Sequence, residues 1–363
     1  MKLEELDKNF AFKGITAENL VWYDRYCPDF VWDGVGDLEH FHRIAAADLD
    51  RLPYGIREGY PSTGIRLRFC TDSRAVAVKA VLWLEADMNN MPRTGSHGFD
   101  LYEDDSGRGA AGGQPVKFAQ MFAPAEDHRL VAGEYRCAEP GFHQYELSFP
   151  LYNGVLEFAL GLEAGARFAP AAPFASEKPI VFYGSSITQG ACASRPSHCY
   201  TSMVARRFNL RQINLGFSGR AKGEPEMARY IADLPMEVFV MDYDHNADTP
   251  EDLAATHEPF FRTVRAAQPE LPIILVTRPN TDRDPADADL RFAVVEATYR
   301  HAREAGDSKV WLVDGRRMFD GEFRDNCTVD GCHPTDLGFY RMYQAVAEKV
   351  LAAAPQYGAP AAQ

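Results

Sequence analysis

The sequence predicts two domains of different class. A β-sandwich of jelly-roll type comes first, followed by an α/β domain built on a five-stranded parallel sheet with helices on both faces. Three observations carry this. At 363 residues the chain is too long for one ordinary core and suits two domains of roughly 150–200 residues each. Apolar residues alternate with period two up to about residue 163, whereas beyond residue 180 short apolar runs alternate with helical patterns. Between these regimes, residues 164–179 are rich in Ala, Pro and Gly, the composition of a connection. The boundaries that follow are 1–170 for the sandwich, 171–178 for the linker, 179–354 for the α/β domain and 355–363 for a frayed tail.

In the first half, Ile65, Leu67 and Phe69 alternate with Arg66 and Arg68, and Val76 and Val78 lead into the run Val81, Leu82, Trp83, Leu84. Tyr145, Leu147 and Phe149 alternate with Glu146 and Ser148, and 155–162 offers another strand. Such alternation buries one face and leaves the other polar. Only 37–52 has a helical rhythm here, while 104–113 reads as turn. The aromatics Trp22, Tyr23, Trp32, Trp83 and Tyr102 are expected mostly in the core. In the second half the strands fall at 180–184, 212–217, 238–242, 272–277 and 310–314. Helices fill 197–208, 250–267, 287–305 and 335–353. Strands alternating with crossover helices make a parallel sheet, whose ligands gather at the carboxyl ends of its strands.

Composition narrows the partners. Lys plus Arg number 38 against 52 Asp plus Glu, a formal charge of −14. This argues against nucleic acid and against anionic membrane surfaces, and it favours a neutral or cationic small molecule. No apolar run approaches the ~20 residues of a membrane span. Residues 1–12 are charged from the start, without the apolar stretch of a secretory signal. Seven scattered cysteines read as reduced thiols, and together these features predict a cytoplasmic protein. The glycines of 107–113 precede no G-K-[ST], so they make no phosphate loop. Cys327, Cys332, His333 and the pair His198-Cys199 fit no regular zinc spacing, so neither metal nor cofactor is expected. Oligomeric state is left open; a homo-oligomer is compatible with the sequence.

Each strand end of the second half carries a reactive residue type. The first runs into Gly184-Ser185-Ser186-Ile187-Thr188-Gln189-Gly190, a small-residue turn that can open a helix. The second ends in Gly216-Phe217-Ser218-Gly219 and the third in Asp242-Tyr243-Asp244-His245-Asn246. Near the end stands Asp330-Gly331-Cys332-His333, where an Asp and a His three apart can reach one site from a single loop. Serine nucleophile, histidine base and aspartate orienter are the parts that acyl transfer needs. The N–H groups of Ser186 and Gly219 and the Asn246 amide can serve as oxyanion donors. Ser218 is the competing serine, but only Ser186 has a strand-turn-helix setting.

These blocks, in this order, resemble the SGNH (GDSL-like) hydrolase superfamily over about half the chain. Gly184-Ser185-Ser186-Ile187 stands at its G-D-S-L, Gly219 at its glycine block, Asn246 at its asparagine block, and Asp330 with His333 at its D-x-x-H. Gly98-Phe99-Asp100-Leu101-Tyr102 resembles the G-x-D-L-Y signature of a sandwich that precedes one branch; it is expected to be a structural turn that docks the two domains. The resemblance implies a flavodoxin-like catalytic domain, with Ser186, Asp330 and His333 catalytic and Ser186, Gly219 and Asn246 forming the oxyanion hole. It further implies a metal-independent esterase that removes acetyl groups from plant cell-wall oligosaccharides such as mannan or xylan fragments. Acyl transfer, thioester or lipid-ester cleavage by the same triad are the alternatives, as is a carbohydrate-binding protein on an inert scaffold. Two departures stand out: Ser185 replaces the usual Asp, and Ala247 replaces the acid after Asn246. Arg195, Asp244 and His245 are candidate substrate contacts. Arg220 and Lys222 are more simply surface charges.

Overall fold

The computed structural model describes residues 14–53, 56, 61–84, 88–104, 116–124, 128–279 and 282–358. The expectations for 1–12, for the glycine run 107–113 and for 359–363 of the tail lie outside the described residues. The first half contributes β1 (Leu20–Tyr23), β2 (Val31–Asp33), β3 (Arg66–Thr71), β4 (Ala75–Leu82), β5 (Phe99–Asp104), β6 (Lys117–Phe122), β7 (Leu130–Arg136), β8 (His143–Ser148), β9 (Val155–Glu163) and β10 (Phe168–Ala169). They form two antiparallel sheets, β1-β9-β4-β7 and β10-β3-β8-β5-β6, with β2 added to β3. Leu67, Phe69, Val76, Val78, Leu147 and Leu160 meet between them as the sandwich core.

Four expectations change. Residues 37–52 form no long helix: Asp37 and His42 pair as an isolated bridge, and only a 3-10 turn, Ala46–Arg51, follows. The Asp37 carboxylate accepts from the Glu39 N–H and meets His40 Nδ1, local bonds that compete with helix. The G-x-D-L-Y segment is not a turn but the start of β5, preceded by a short helix α1 (Arg93–Ser96). The linker is packed: β10 pairs with β3, and Phe174 is buried beneath Arg66, Arg68 and Arg211. The tail begins with an ordered 3-10 turn, Pro355–Gly358, whose Tyr357 hydroxyl donates to Glu237 at 2.7 Å.

The second half supplies β11 (Ile180–Gly184), α2 (Ser186–Gln189), α3 (Tyr200–Arg207), β12 (Gln212–Gly216), α4 (Pro225–Asp233), β13 (Val238–Asp242), α5 (Pro250–Ala267), β14 (Ile273–Val276), α6 (Pro285–Glu304), β15 (Val310–Val313) and α7 (Asp336–Ala353). All five strands run parallel in the order β12-β11-β13-β14-β15. Helices α4, α5 and α6 cover one face, where Met227, Ile231, Phe260 and Val264 pack. Helices α3 and α7 cover the other with Val204, Phe339, Met342 and Val346. The order reverses at β11, which places a cleft at the carboxyl ends of β11, β12 and β13.

The domains share a buried polar seam. Arg66 and Arg68, on the face of β3 that alternation assigns to solvent, are 1% and 2% exposed because the α/β domain lies over them. Asp33 accepts from Arg66 and from the N–H of Gln212 on β12, and Arg43 donates to the carbonyls of Asn214 and Gly216 at 2.8 Å each. Asp100 of the G-x-D-L-Y segment accepts from the backbone N–H and the hydroxyl of Ser197 across the seam. Removing that buried acceptor strands the Ser197 N–H and leaves its hydroxyl only the Tyr102 hydroxyl as partner. Asp100→Ala should therefore cost about 1–3 kcal/mol, read as a lower urea midpoint. An unchanged midpoint would reject the docking role.

Candidate active site

The turn after β11 is shaped by close approach. A Cβ on Gly184 would stand 2.1 Å from Thr188 Oγ1 and 2.3 Å from the Asp242 carbonyl, so only glycine lets α2 fold back against β13. Ser185 caps that helix, its hydroxyl accepting from the Ile187 N–H at 3.1 Å. Ser186 thus begins α2 half-buried at the sheet's edge, its own N–H at a helix start where no intrahelical acceptor exists.

Residues 328–334 close into a tight loop through the Thr328–Pro334 bridge and the Val329 N–H to His333 carbonyl bond, 2.9 Å. The loop presents His333 Nε2 2.9 Å from Ser186 Oγ, and His333 Nδ1 2.8 Å from Asp330 Oδ2. Asp330 Oδ1 accepts from the backbone N–H of His333 at 2.8 Å and of Cys332 at 3.0 Å. Burial by itself raises the Asp330 carboxyl, but the bonds from His333, its backbone and Asn90 outweigh it and hold the group well below the usual carboxylate range. Asp330 is thus an anion in line with the imidazole, which in turn faces a serine hydroxyl. That arrangement can deprotonate the hydroxyl as it attacks a carbonyl.

Gly219 is exposed and left-handed (φ +68), with open space around it. A short 3-10 turn, Asp244–Asn246, follows β13, and the Asn246 amide donates one hydrogen to the Phe217 carbonyl at 2.9 Å. That bond ties the third block to the second and leaves the amide's other hydrogen to be given elsewhere.

Residues 177–352 match the GDSL-like Lipase/Acylhydrolase family. The carboxyl-terminal domain belongs to that family. Residues 33–168 match the GxDLY family, the N-terminus of SGNH-hydro-type esterases. A protein from Bacteroides ovatus described as a GDSL-like lipase shares 25% identity and a TM-score of 0.81, over 92% of this chain and 98% of its own. A salicylyl-acyltransferase from a tetracycline biosynthetic pathway shares the fold at 21% identity and TM-score 0.72, over 93% and 98%. So does a family two carbohydrate esterase from Clostridium thermocellum, solved with cellohexaose, at 15% and 0.60, over 89% and 98%. Among curated proteins none matches the sequence.

In this GDSL-like domain the candidate substrate contacts separate. Arg195 is not at the Ser–His pair: its guanidinium lies 3.8 Å over Phe118 of the sandwich and meets His198, so it is spent on the seam. Asp244 is buried, accepts from the Arg278 N–H at 3.0 Å and braces its loop instead of facing substrate. Burial pushes its carboxyl up to about 6. His245 does adjoin the site, its Nε2 3.9 Å from Cys332 Sγ, and burial, with Arg278 and His333 nearby, pushes its imidazole down to about 3. Lys222 pairs with Asp248 at the surface and Arg220 is exposed. Of the five aromatics, Trp83 is the exposed one.

Among the described residues, three groups bring three ligand atoms within 4.8 Å of one another: Asp37, His40 and His42; Glu103, Cys137 and His143; and Cys192, Asp330 and His333. The last shares its Asp and His with the hydrogen-bonded chain at Ser186. All seven cysteines are unpaired.

Sequence reasoning missed two residues at the site and assigned no role to a third. Asn90 and Tyr152 come from the sandwich: the Asn90 amide reaches Asp330 Oδ2 at 2.9 Å, and the Tyr152 hydroxyl donates to the Ser186 carbonyl at 3.2 Å. No local pattern marks either. The third, Asp242, ends β13 behind the catalytic turn, where Tyr200 OH (2.7 Å) and Thr188 Oγ1 (2.9 Å) donate to its buried carboxyl. Burial, the largest influence, pushes it up to about 8. The native state then holds a proton that the unfolded chain releases near pH 4, so this group's stabilisation is full at low pH and fades as pH rises towards 8. Asp242→Asn keeps both acceptor bonds without the proton. Relative to wild type it should gain on the order of 1 kcal/mol per pH unit between pH 5 and 8, measured by urea unfolding. A pH-independent difference would contradict this.

Proposed function

We infer that this protein is an esterase or acylhydrolase, the class that the matched family models support. We propose that it is a serine esterase removing O-acetyl groups from neutral carbohydrate, oligosaccharides derived from mannan or xylan above all. The observation that carries the chemistry is the continuous chain Ser186 Oγ, His333 Nε2, His333 Nδ1, Asp330 Oδ2, with steps of 2.9 and 2.8 Å.

His333 Nε2 takes the Ser186 proton as Oγ bonds to the acetyl carbonyl carbon, and the carbonyl electron pair moves onto oxygen. The Ser186 and Gly219 N–H groups and the free hydrogen of the Asn246 amide stabilise that oxyanion. The imidazolium returns its proton to the departing sugar hydroxyl, leaving an acetyl-enzyme. Water repeats the sequence and releases acetate, with Asp330 keeping His333 in the tautomer that faces Ser186. The net charge of −14 suits a neutral glycan, and a cytoplasmic location would make imported fragments the substrate. The carbohydrate esterase of the same fold supports this acceptor class. The acyltransferase of the same fold supports a second reading, in which an alcohol other than water takes the acyl group.

Ser186→Ala should lower hydrolysis of p-nitrophenyl acetate by roughly a thousandfold or more with unchanged thermal unfolding; retained activity would reject the nucleophile. Substrate class is decided by turnover across acetylated manno- and xylo-oligosaccharides, acyl-CoA and longer acyl esters. Acetyl release from the oligosaccharides should dominate. Preferential turnover of acyl-CoA or long acyl chains would overturn the carbohydrate reading, and product partitioning towards an added alcohol would favour transfer.

A further inference from the structure

We propose that Asn90, which belongs to the amino-terminal domain, is a positioning residue for Asp330; the proposal rests on the triad reading above. Its side-chain amide donates to Asp330 Oδ2 at 2.9 Å across a sequence separation of 240 residues. The same oxygen receives His333 Nδ1. A carboxylate has no hydrogen to give, so only the amide nitrogen can face it, and the orientation of Asn90 is determined along with its place. Of the four bonds to this carboxylate, three come from its own loop, and Asn90 supplies the fourth from the other domain.

The segment bearing Asn90 is seated on the chain just after the serine turn. Met91 packs with Ile187, Ala191 and Cys192. The Thr94 hydroxyl donates to the Ser194 carbonyl at 2.6 Å, and Gly95 lies so close to the Ala193 carbonyl that a Cβ would stand 2.0 Å from it. The amide is therefore presented by a packed surface and can act on the aspartate in two ways. It stops Oδ2 from rotating out of line with the imidazole, and it takes up part of the oxygen's charge, so that the neutral imidazole needed for attack is less disfavoured. Among the described residues, the other titratable or charged groups around His333 are Cys332 on its loop, Cys192 after α2, His245 after β13, and Arg278 and Arg283 beside Cys332.

Asn90→Ala and Asn90→Asp, each checked for wild-type thermal unfolding, test the proposal. Asn90→Ala should lower kcat about tenfold with little change in KM, and move the acid limb of kcat/KM to higher pH. Asn90→Asp places a second carboxylate at Oδ2 and should move that limb further, by roughly one pH unit. The His333 imidazole titration, followed by NMR in a Ser186→Ala background, should move in the same direction without any turnover being needed. Wild-type kcat and an unmoved limb in both variants would overturn the proposal. A loss of rate with neither the limb nor the NMR titration moving would also overturn it, since the role would then be structural only. A shifted titration in a protein inactive on every ester would sink the esterase reading and leave the positioning role standing.

Discussion

The outermost strand of a parallel sheet presents backbone groups that must be bonded to something, and on β12 the bonding comes from the other domain. Asp33 takes the Gln212 N–H, Arg43 takes the carbonyls of Asn214 and Gly216, and the Gln212 side chain returns a bond to the Gly64 carbonyl. Both charged groups are buried. A docking shifted by one residue would leave an ion and several backbone groups without partners, a penalty of several kcal/mol. The sandwich is thereby held in one register along the sheet edge. That register brings Asp100 to Ser197 and lays the segment 88–96 against the chain that follows Ser186. An interface that first seals an edge strand also delivers Asn90 to Asp330 and Tyr152 to the Ser186 turn.

The site's carboxyl groups show how environment divides labour among identical side chains. Asp330 takes backbone, amide and imidazole N–H groups and stays ionised beside the base. Asp242 and Asp244, enclosed behind the turn, are pushed upward by burial, with hydroxyls serving one and a single backbone N–H the other. A carboxylate that must orient an imidazole needs N–H donors to remain charged, whereas a structural one can keep its proton. Ser185 stands just before Ser186, where the resembled superfamily usually has an acid, and its hydroxyl does the capping that the short helix α2 requires.

The strands at 180–184 and 238–242 and the helix at 250–267 are legible to the residue, because the strands are short apolar runs and the helix is a helical repeat opened by Thr249 and Pro250. The α4 helix carries a start signal of its own, Pro225 at its first position. Strands β1, β6 and β7 were not legible; their faces are partly buried on both sides, which blurs the period-two pattern. Arg66 and Arg68 show the same limit from the other direction. Alternation correctly turned Ile65, Leu67 and Phe69 inward, but no periodicity tells whether the opposite face meets water or a second domain.

For the site, local sequence sufficed wherever one short block carries its own geometry. Gly184 through Gln189 encodes a turn that only glycine permits, and Asp330 with His333 shares a loop that closes on itself, so residues alone suggest Ser186, Asp330 and His333 as candidates, and the structure places them in one hydrogen-bonded chain. Arg195, Asp244, Asn90 and Tyr152 could not be placed that way. Whether a guanidinium meets substrate or the face of Phe118, and whether an amide meets water or Asp330 Oδ2, depends on groups far away in the chain. Sequence determined the candidate reacting groups because chemistry constrains residue type and spacing within a block. Tertiary structure alone decided which distant side chains hold them, because hydrogen bonds are made between neighbours in space, and the docking of two domains sets those neighbours.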